Sequence, residues 1–182
     1  MIKPRRFRVL FVDDRHYVHN YARRLSKGMS HAHAYSPEEA EKLISARLKK
    51  IDQMRVQKMK AAERARSPQR RAAIKKQLAS IENMRDSPFD LIVSDINMPD
   101  MHPVGVEFAR GLRQRFPKMR VLMHSDDLEF LADLEEEGIP SAFKSRYDQK
   151  GTEAQLKKRM MEQLRASRRS GGANWKPRGR AS

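Results

Sequence analysis

Two rhythms of hydrophobic and polar residues alternate along the chain. Short apolar runs rich in β-branched residues occur within 8–14, 89–99 and 119–125. Runs of that length without polar alternation predict strands buried on both faces of a parallel sheet. Weaker runs at 31–35 and 141–144 predict two further strands, the first at a sheet edge. Between the strands the apolar residues step by three and four. Tyr17, Val18, Tyr21, Ala22 and Leu25 mark an amphipathic helix over 16–27, with Gly28 as its stop. Val106, Phe108, Ala109 and Leu112 mark another over 106–116. Residues 128–137 form a short acidic helix closed by Gly138, and 152–168 carries Leu156, Met160 and Leu164 at steps of four beneath a basic outer face. Strands alternating with helices predict an α/β architecture with a parallel sheet.

One helix breaks this regular alternation. Ser36-Pro37-Glu38-Glu39 starts it with a serine N-cap, proline at the first helical position and acids against the helix dipole. An apolar stripe follows at Ile44, Leu48, Ile51 and Met54, after which the chain stays helix-forming but turns basic until Ser67-Pro68 breaks it. Ile74, Leu78, Ile81 and Met84 then repeat the same steps of four, three and three. Two helices with matching stripes and a short turn predict an antiparallel helical hairpin over 42–85, inserted into a domain that spans 1–168. Residues 169–182 have Gly, Pro and Arg with no periodicity and predict a disordered basic tail, with Trp175 alone among basic residues.

Charge changes this picture more than composition does. The chain has 182 residues and a net charge of +16, but the charge is not spread evenly. Residues 42–85 hold 14 basic and three acidic residues, a net of +11, and 157–182 hold nine basic and one acidic, a net of +8. The remainder is at −3, so a near-neutral body carries two basic appendages. Arg64, Arg66, Arg70 and Arg71 at the hairpin tip are more charge than solubility needs and point to a polyanion, either nucleic acid or an acidic protein surface. The hairpin has no Phe, Tyr or Trp, which favours phosphate contacts over base stacking. The absence of cysteine excludes disulfides and cysteine-ligated metal sites, and no apolar run approaches the roughly 18 residues of a membrane span. The apolar run after the basic start is also shorter than the roughly seven residues a signal peptide core needs. These features lead us to expect a cytoplasmic protein without a membrane segment.

The candidate chemistry lies at strand ends. The first strand ends in Asp13 and Asp14 and the third delivers Asp95, the edge of an open α/β sheet where ligands sit. Three carboxylates held together must retain protons or bind a cation, and a hard divalent ion such as magnesium suits oxygen ligands. The fourth strand ends in Ser125 and the fifth in Lys144, a hydroxyl and an ammonium suited to the oxygens of a phosphorylated carboxylate. A phosphatase of the haloacid dehalogenase type would need an acid two residues after Asp13, where this chain has Arg15. His16 and His19, and His31 and His33, have possible ligand spacings, but no carboxylate or cysteine completes either pair, so all four are expected at the surface.

In the order and spacing of these pieces the chain resembles the response regulator receiver domain. The matching pieces are 9–14 for the acidic pair, 90–99 with Asp95 as phosphoacceptor, 121–125 for the switch hydroxyl, and Phe143-Lys144 for the lysine. The resemblance covers 6–165 apart from the hairpin and implies a doubly wound, five-stranded, flavodoxin-like parallel sheet. It implies phosphoryl transfer to Asp95 from a histidine kinase or phosphotransfer protein, with Mg2+ held by Asp13, Asp14, Asp95 and the backbone carbonyl of Asn97. It further implies a phosphoacceptor that catalyses only its own phosphorylation and dephosphorylation. The chain departs from the family pattern in four places. The loop after Met101 is two residues longer, Asp126 stands where a small residue is usual, Ser145 replaces the proline after the lysine, and Ser141 occupies the switch-aromatic position. Two readings follow. The chain is a single-domain response regulator with output through its basic appendages, or a receiver scaffold with vestigial phosphorylation whose hairpin binds a polyanion constitutively.

Overall fold

The computed structural model describes residues 6–98, 104–145 and 147–170. Five parallel strands, β1 (Arg8–Val12), β2 (Ser30–Ala34), β3 (Leu91–Ser94), β4 (Val121–Ser125) and β5 (Ser141–Phe143), form one sheet in the order β2-β1-β3-β4-β5. Registers such as Val12↔Ser94 and Ser125↔Phe143 align their carboxyl ends. The strand period of two sorts the apolar runs onto opposite faces. Leu10, Val12, Ile92, Val121 and Met123 face one core cluster, and Val9, Phe11, Leu91, Val93 and Leu122 face the other.

Helices cover both faces. Val18, Tyr21 and Ala22 of α1 (His16–Leu25) and Leu156, Met160 and Leu164 of α6 (Gln149–Ser170) close the second cluster. Ala40 and Ile44 of α2 (Pro37–Glu63), with α4 (Val104–Arg115) and α5 (Leu128–Glu136), close the first. This is a doubly wound flavodoxin-like sheet. The last helix begins three residues before the expected Thr152, where the Asp148 side chain accepts from the Gly151 amide at 2.8 Å. None of the described helices is long and apolar enough to cross a membrane. Pro99, the loop at 101–103 and residues 171–182, including Trp175, lie outside the described residues.

The cap expected at Ser36 is present, its side chain accepting from the Glu39 amide, while the Glu39 carboxylate accepts from the Tyr35 amide at 2.8 Å. Helix α2 passes Leu48, after which none of its side chains joins either core cluster. It ends at Glu63 with Arg64 as its C-cap, and α3 (Pro68–Asp86), capped by Ser67, returns. Ile51, Ile74 and Ile81 are buried between the two helices, worth roughly 2 kcal/mol each. Arg55 pairs with Glu82 at 2.6 Å and Asp52 with Arg85 at 3.5 Å, the later α2 residue with the earlier α3 residue, as antiparallel helices require. Met54, expected on the seam, is 39% exposed. A step of four from Ile51 tracks the 3.6-residue turn better on that side of the seam, so Arg55 takes the place and Met54 points away.

The amino end of the sheet is closed by an ion pair that apolar patterning does not reveal. Arg8 donates to both carboxylate oxygens of Asp90, at 3.1 and 3.0 Å, and to the Ser87 carbonyl at 3.2 Å, with side-chain exposures of 6% and 16% for the pair. This two-pronged contact ties β1 to the turn that leads from α3 into β3. Asp90→Ala leaves the Arg8 guanidinium buried without its counter-charge and is expected to destabilise the fold by about 3 kcal/mol in urea unfolding.

Candidate functional site

The register of β1 against β3 sets Asp13 beside Asp95, and the ladder continues past the strands. The Asp95 amide donates to the Val12 carbonyl at 2.9 Å, and the Lys144 amide donates to the Ser125 carbonyl at 2.7 Å. Four strand ends therefore deliver their side chains to one edge. The Lys144 ammonium donates to Asp13 Oδ2 at 2.6 Å and to Asp95 Oδ2 at 2.9 Å, and all three side chains are 3% exposed or less. Asp95 Oδ1 accepts from the Ile96 amide at 2.8 Å, and Asp13 Oδ1 from the Arg15 amide at 3.0 Å.

Burial dominates the electrostatics here. It pushes the Asp13 carboxyl up to about 6, with the Asp95 charge adding to the rise and Lys144 opposing it. Asp95 is raised for the same reason, again against Lys144. Burial alone would lower Lys144, but the two carboxylates together outweigh it and hold the ammonium above its ordinary value.

Asp14 completes the cluster. One oxygen from each of Asp13, Asp14 and Asp95 lies within 4.8 Å of the others. Asp14 Oδ1 is buried with no hydrogen-bond partner among the described residues. An orphaned buried carboxylate oxygen beside two more is a donor set that a hard divalent cation fits. Asn97 stands two residues beyond Asp95 with an exposed side chain.

Ser125 is fully buried, its Oγ accepting from the Asp127 amide at 3.3 Å, which leaves its proton to donate. At the mouth, Arg15 lies 3.6 Å from Asp126 and donates to the Tyr17 hydroxyl at 3.3 Å. The Tyr17 contact and the nearby Asp95 and Asp126 carboxylates hold the Arg15 guanidinium fully charged. Arg15, Tyr17, Ser145 and Gln149 line an open cleft of about 350 Å³ beside it. Arg64, Arg66, Arg70 and Arg71 are exposed at the far hairpin turn and take no part in this cluster.

The histidines correct an expectation. His16 and His31 are exposed, but His19 is 2% exposed and His33 is half-buried. His19 Nε2 donates to the Asp13 carbonyl at 2.6 Å, so its Nδ1 carries the lone pair that accepts from His33 Nδ1 at 2.7 Å. Burial lowers both, His33 to about 4, so the neutral tautomers persist at pH 7. The pair ties α1 and the edge strand β2 to the backbone of the acidic turn. A second polar contact behind the site, Tyr21 OH to His124 Nδ1 at 3.3 Å, is likewise buried, and burial keeps His124 neutral, lowered to about 3. Nothing local in the sequence marks either contact, since His19 and His33 are 14 residues apart and Tyr21 and His124 are 103 apart.

Gly105 admits the start of α4. Its amide donates to the Ile96 carbonyl at 3.1 Å, and an added Cβ would lie 1.9 Å from the Asp95 carbonyl oxygen. Gly105→Ala is therefore expected to displace α4 and cost about 1–3 kcal/mol in urea unfolding. A second expectation concerns pH. The folded Asp13 carboxyl is raised to about 6 from 3.8, so its protonated form favours folding, and that contribution is lost as pH rises through about 6. Without divalent cations, the melting temperature of the parent should fall between pH 4.5 and 6.5, and Asp13→Asn should flatten this fall.

No family model matches the sequence, and no curated protein matches it. Solved structures do match. A response regulator receiver domain protein from Clostridium thermocellum superposes with a TM-score of 0.57 at 15% identity, over 90% of this chain and 98% of that one. A CheY-like response regulator receiver domain protein from Methanospirillum hungatei JF-1 gives 0.55 at 16%, over 91% and 98%. The signal receiver domain of an HD domain-containing protein from Pseudomonas fluorescens Pf-5 gives 0.53 at 15%, over 93% and 100%. With five parallel strands in the order β2-β1-β3-β4-β5 and an acidic cluster at their carboxyl ends, the chain has the fold of the response regulator receiver domains.

Proposed function

We propose that this chain is a response regulator of two-component signal transduction that accepts a phosphoryl group on Asp95 from a histidine kinase or phosphotransfer protein. The observation that supports the reading is the Lys144 ammonium held between Asp95 and Asp13, beside the orphaned oxygen of Asp14. In the reaction a carboxylate oxygen of Asp95 attacks the phosphorus of a phosphoimidazole. The phosphorus–nitrogen bond breaks as the phosphorus–oxygen bond forms, and the departing ring nitrogen takes up a proton. Asp13, Asp14, Asp95 and the Asn97 carbonyl would hold magnesium, which when bound neutralises charge on the phosphoryl oxygens. Lys144 transfers one hydrogen bond from the Asp95 carboxylate to a phosphoryl oxygen, and the Ser125 hydroxyl donates to another. On this reading the chain is a phosphoacceptor that catalyses only its own phosphorylation and dephosphorylation, and it acts in the cytoplasm.

The second reading is a receiver scaffold that binds through its basic hairpin without phosphorylation. Asp126 favours it, because a carboxylate at the mouth repels an anionic donor to the extent that Arg15, 3.6 Å away, leaves its charge uncompensated. A unit charge at about 4 Å in water amounts to roughly 1 kcal/mol, or about fivefold in rate.

Intact-mass measurement after incubation with magnesium and a small phosphoryl donor separates the two. The first reading expects one phosphoryl adduct on the parent, none on Asp95→Asn, and adduct formation about fivefold faster on Asp126→Ala. No adduct on either parent or Asp126→Ala, with magnesium binding also absent, supports the second reading.

A further inference from the structure

The hairpin leaves the sheet at the edge opposite the acidic cluster. Helix α2 starts after the carboxyl end of β2 and runs back along the sheet, and α3 ends just before the amino end of β3. Contacts at the base anchor it there: Arg47 Nε donates to the Pro88 carbonyl at 2.5 Å, and Lys118 pairs with Asp86 at 2.6 Å. From Leu48 to Glu63 the first helix extends about 22 Å. At the turn, Ala65 is 1% exposed and its carbonyl accepts from Arg71 Nε at 2.9 Å. Arg71, first read as part of the polyanion surface, thus also closes the turn.

The charge of this arm is concentrated and uncompensated. Two of the three acids in 42–85, Asp52 and Glu82, are engaged by Arg85 and Arg55 across the seam. Residues 56–77 hold eight basic residues against one acid, Glu63. Lys60, Arg64, Arg66, Arg70, Lys75 and Lys76 are all exposed, and among the described residues no ion pair joins any of them to a carboxylate. Folding alone gives no reason to gather these charges, which repel one another.

We propose that the hairpin is a docking arm for the phosphate backbone of a nucleic acid duplex. A duplex presents a negative charge every 1.7 Å or so, which matches a rigid arm with cations on both helices and at the turn. The arm has no aromatic residue, so it lacks the stacking platform that single-strand binding uses. Two packed helices are roughly 20 Å across, too wide for a major groove of about 12 Å, so the arm lies across phosphate ridges and reads little sequence. An acidic protein surface would need a buried anchor at the interface centre. The exposed apolar residues of the arm do not form one, since Met54 lies roughly 200° around the helix from Val56 and Met59 is flanked by lysines. The proposal names the partner that the second reading above leaves open. It holds whether or not Asp95 is phosphorylated, because that site is at the other edge of the sheet.

The test is fluorescence anisotropy of the full chain with a 30-base-pair DNA duplex, an RNA duplex, a single strand of equal phosphate number and polyglutamate, over a salt series. The expected result is duplex binding that weakens steeply with salt. Arg64→Gln, Arg66→Gln and Arg70→Gln combined should weaken it at least about tenfold and reduce the salt slope by about two to three. The corresponding triple lysine variant should bind as the parent does, and Asp95→Asn should leave binding intact. DNA and RNA arms of similar affinity fit backbone contact. Unchanged affinity in the glutamine variant overturns the proposal, as does tighter binding of the single strand or polyglutamate than of either duplex. Thermal melting of both triple variants excludes unfolding as the cause.

Discussion

The ammonium of Lys144 between Asp13 and Asp95 is the interaction on which the site depends. Carboxylates this deeply buried cannot both keep a full charge without a cation between them, and burial already raises both. Lys144 supplies that cation from the end of β5, two strands away from β3, so the contact exists only when β3, β4 and β5 are in register. One hydrogen-bonded group thus couples the order of the sheet to the chemistry at its edge.

The surrounding contacts hold that edge from several directions. His19 grips the carbonyl of Asp13 from α1 and is itself held by His33 on β2. Gly105 brings α4 against the Asp95 backbone without a side chain in the way. The opposite edge has its own buried charge pair, Arg8 with Asp90, and the apolar layers lie between the two. Charge is thus confined to the two ends of the strands, where loops supply polar partners.

The hairpin emerges from the end that carries no carboxylate cluster. Its near half is an ordinary sheet-covering helix, with Ala40 and Ile44 in the core, and its far half is held by Ile51, Ile74 and Ile81 and two cross-helix ion pairs. This division lets the arm carry a high positive charge without disturbing the sheet, because repulsion among exposed cations is screened within about 10 Å at ordinary salt.

The sequence by itself determined the layers. Three apolar runs, two weaker ones, the helix stripes and the Ser36 cap identified the five strands and both hairpin helices, because strand and helix periods are local properties of the chain. It also pointed to Asp13, Asp14, Asp95, Ser125 and Lys144, since each stands at the end of a readable strand. Tertiary structure alone decided what these groups do to one another. Arg8 with Asp90 are 82 residues apart, and Tyr21 with His124 are 103 apart. The burial of His19, the outward turn of Met54 and the pairing of Arg15 with Asp126 likewise depend on which elements pack together. No local pattern encodes such pairings, because a polar side chain's partner and its exposure to water are set only when distant segments meet.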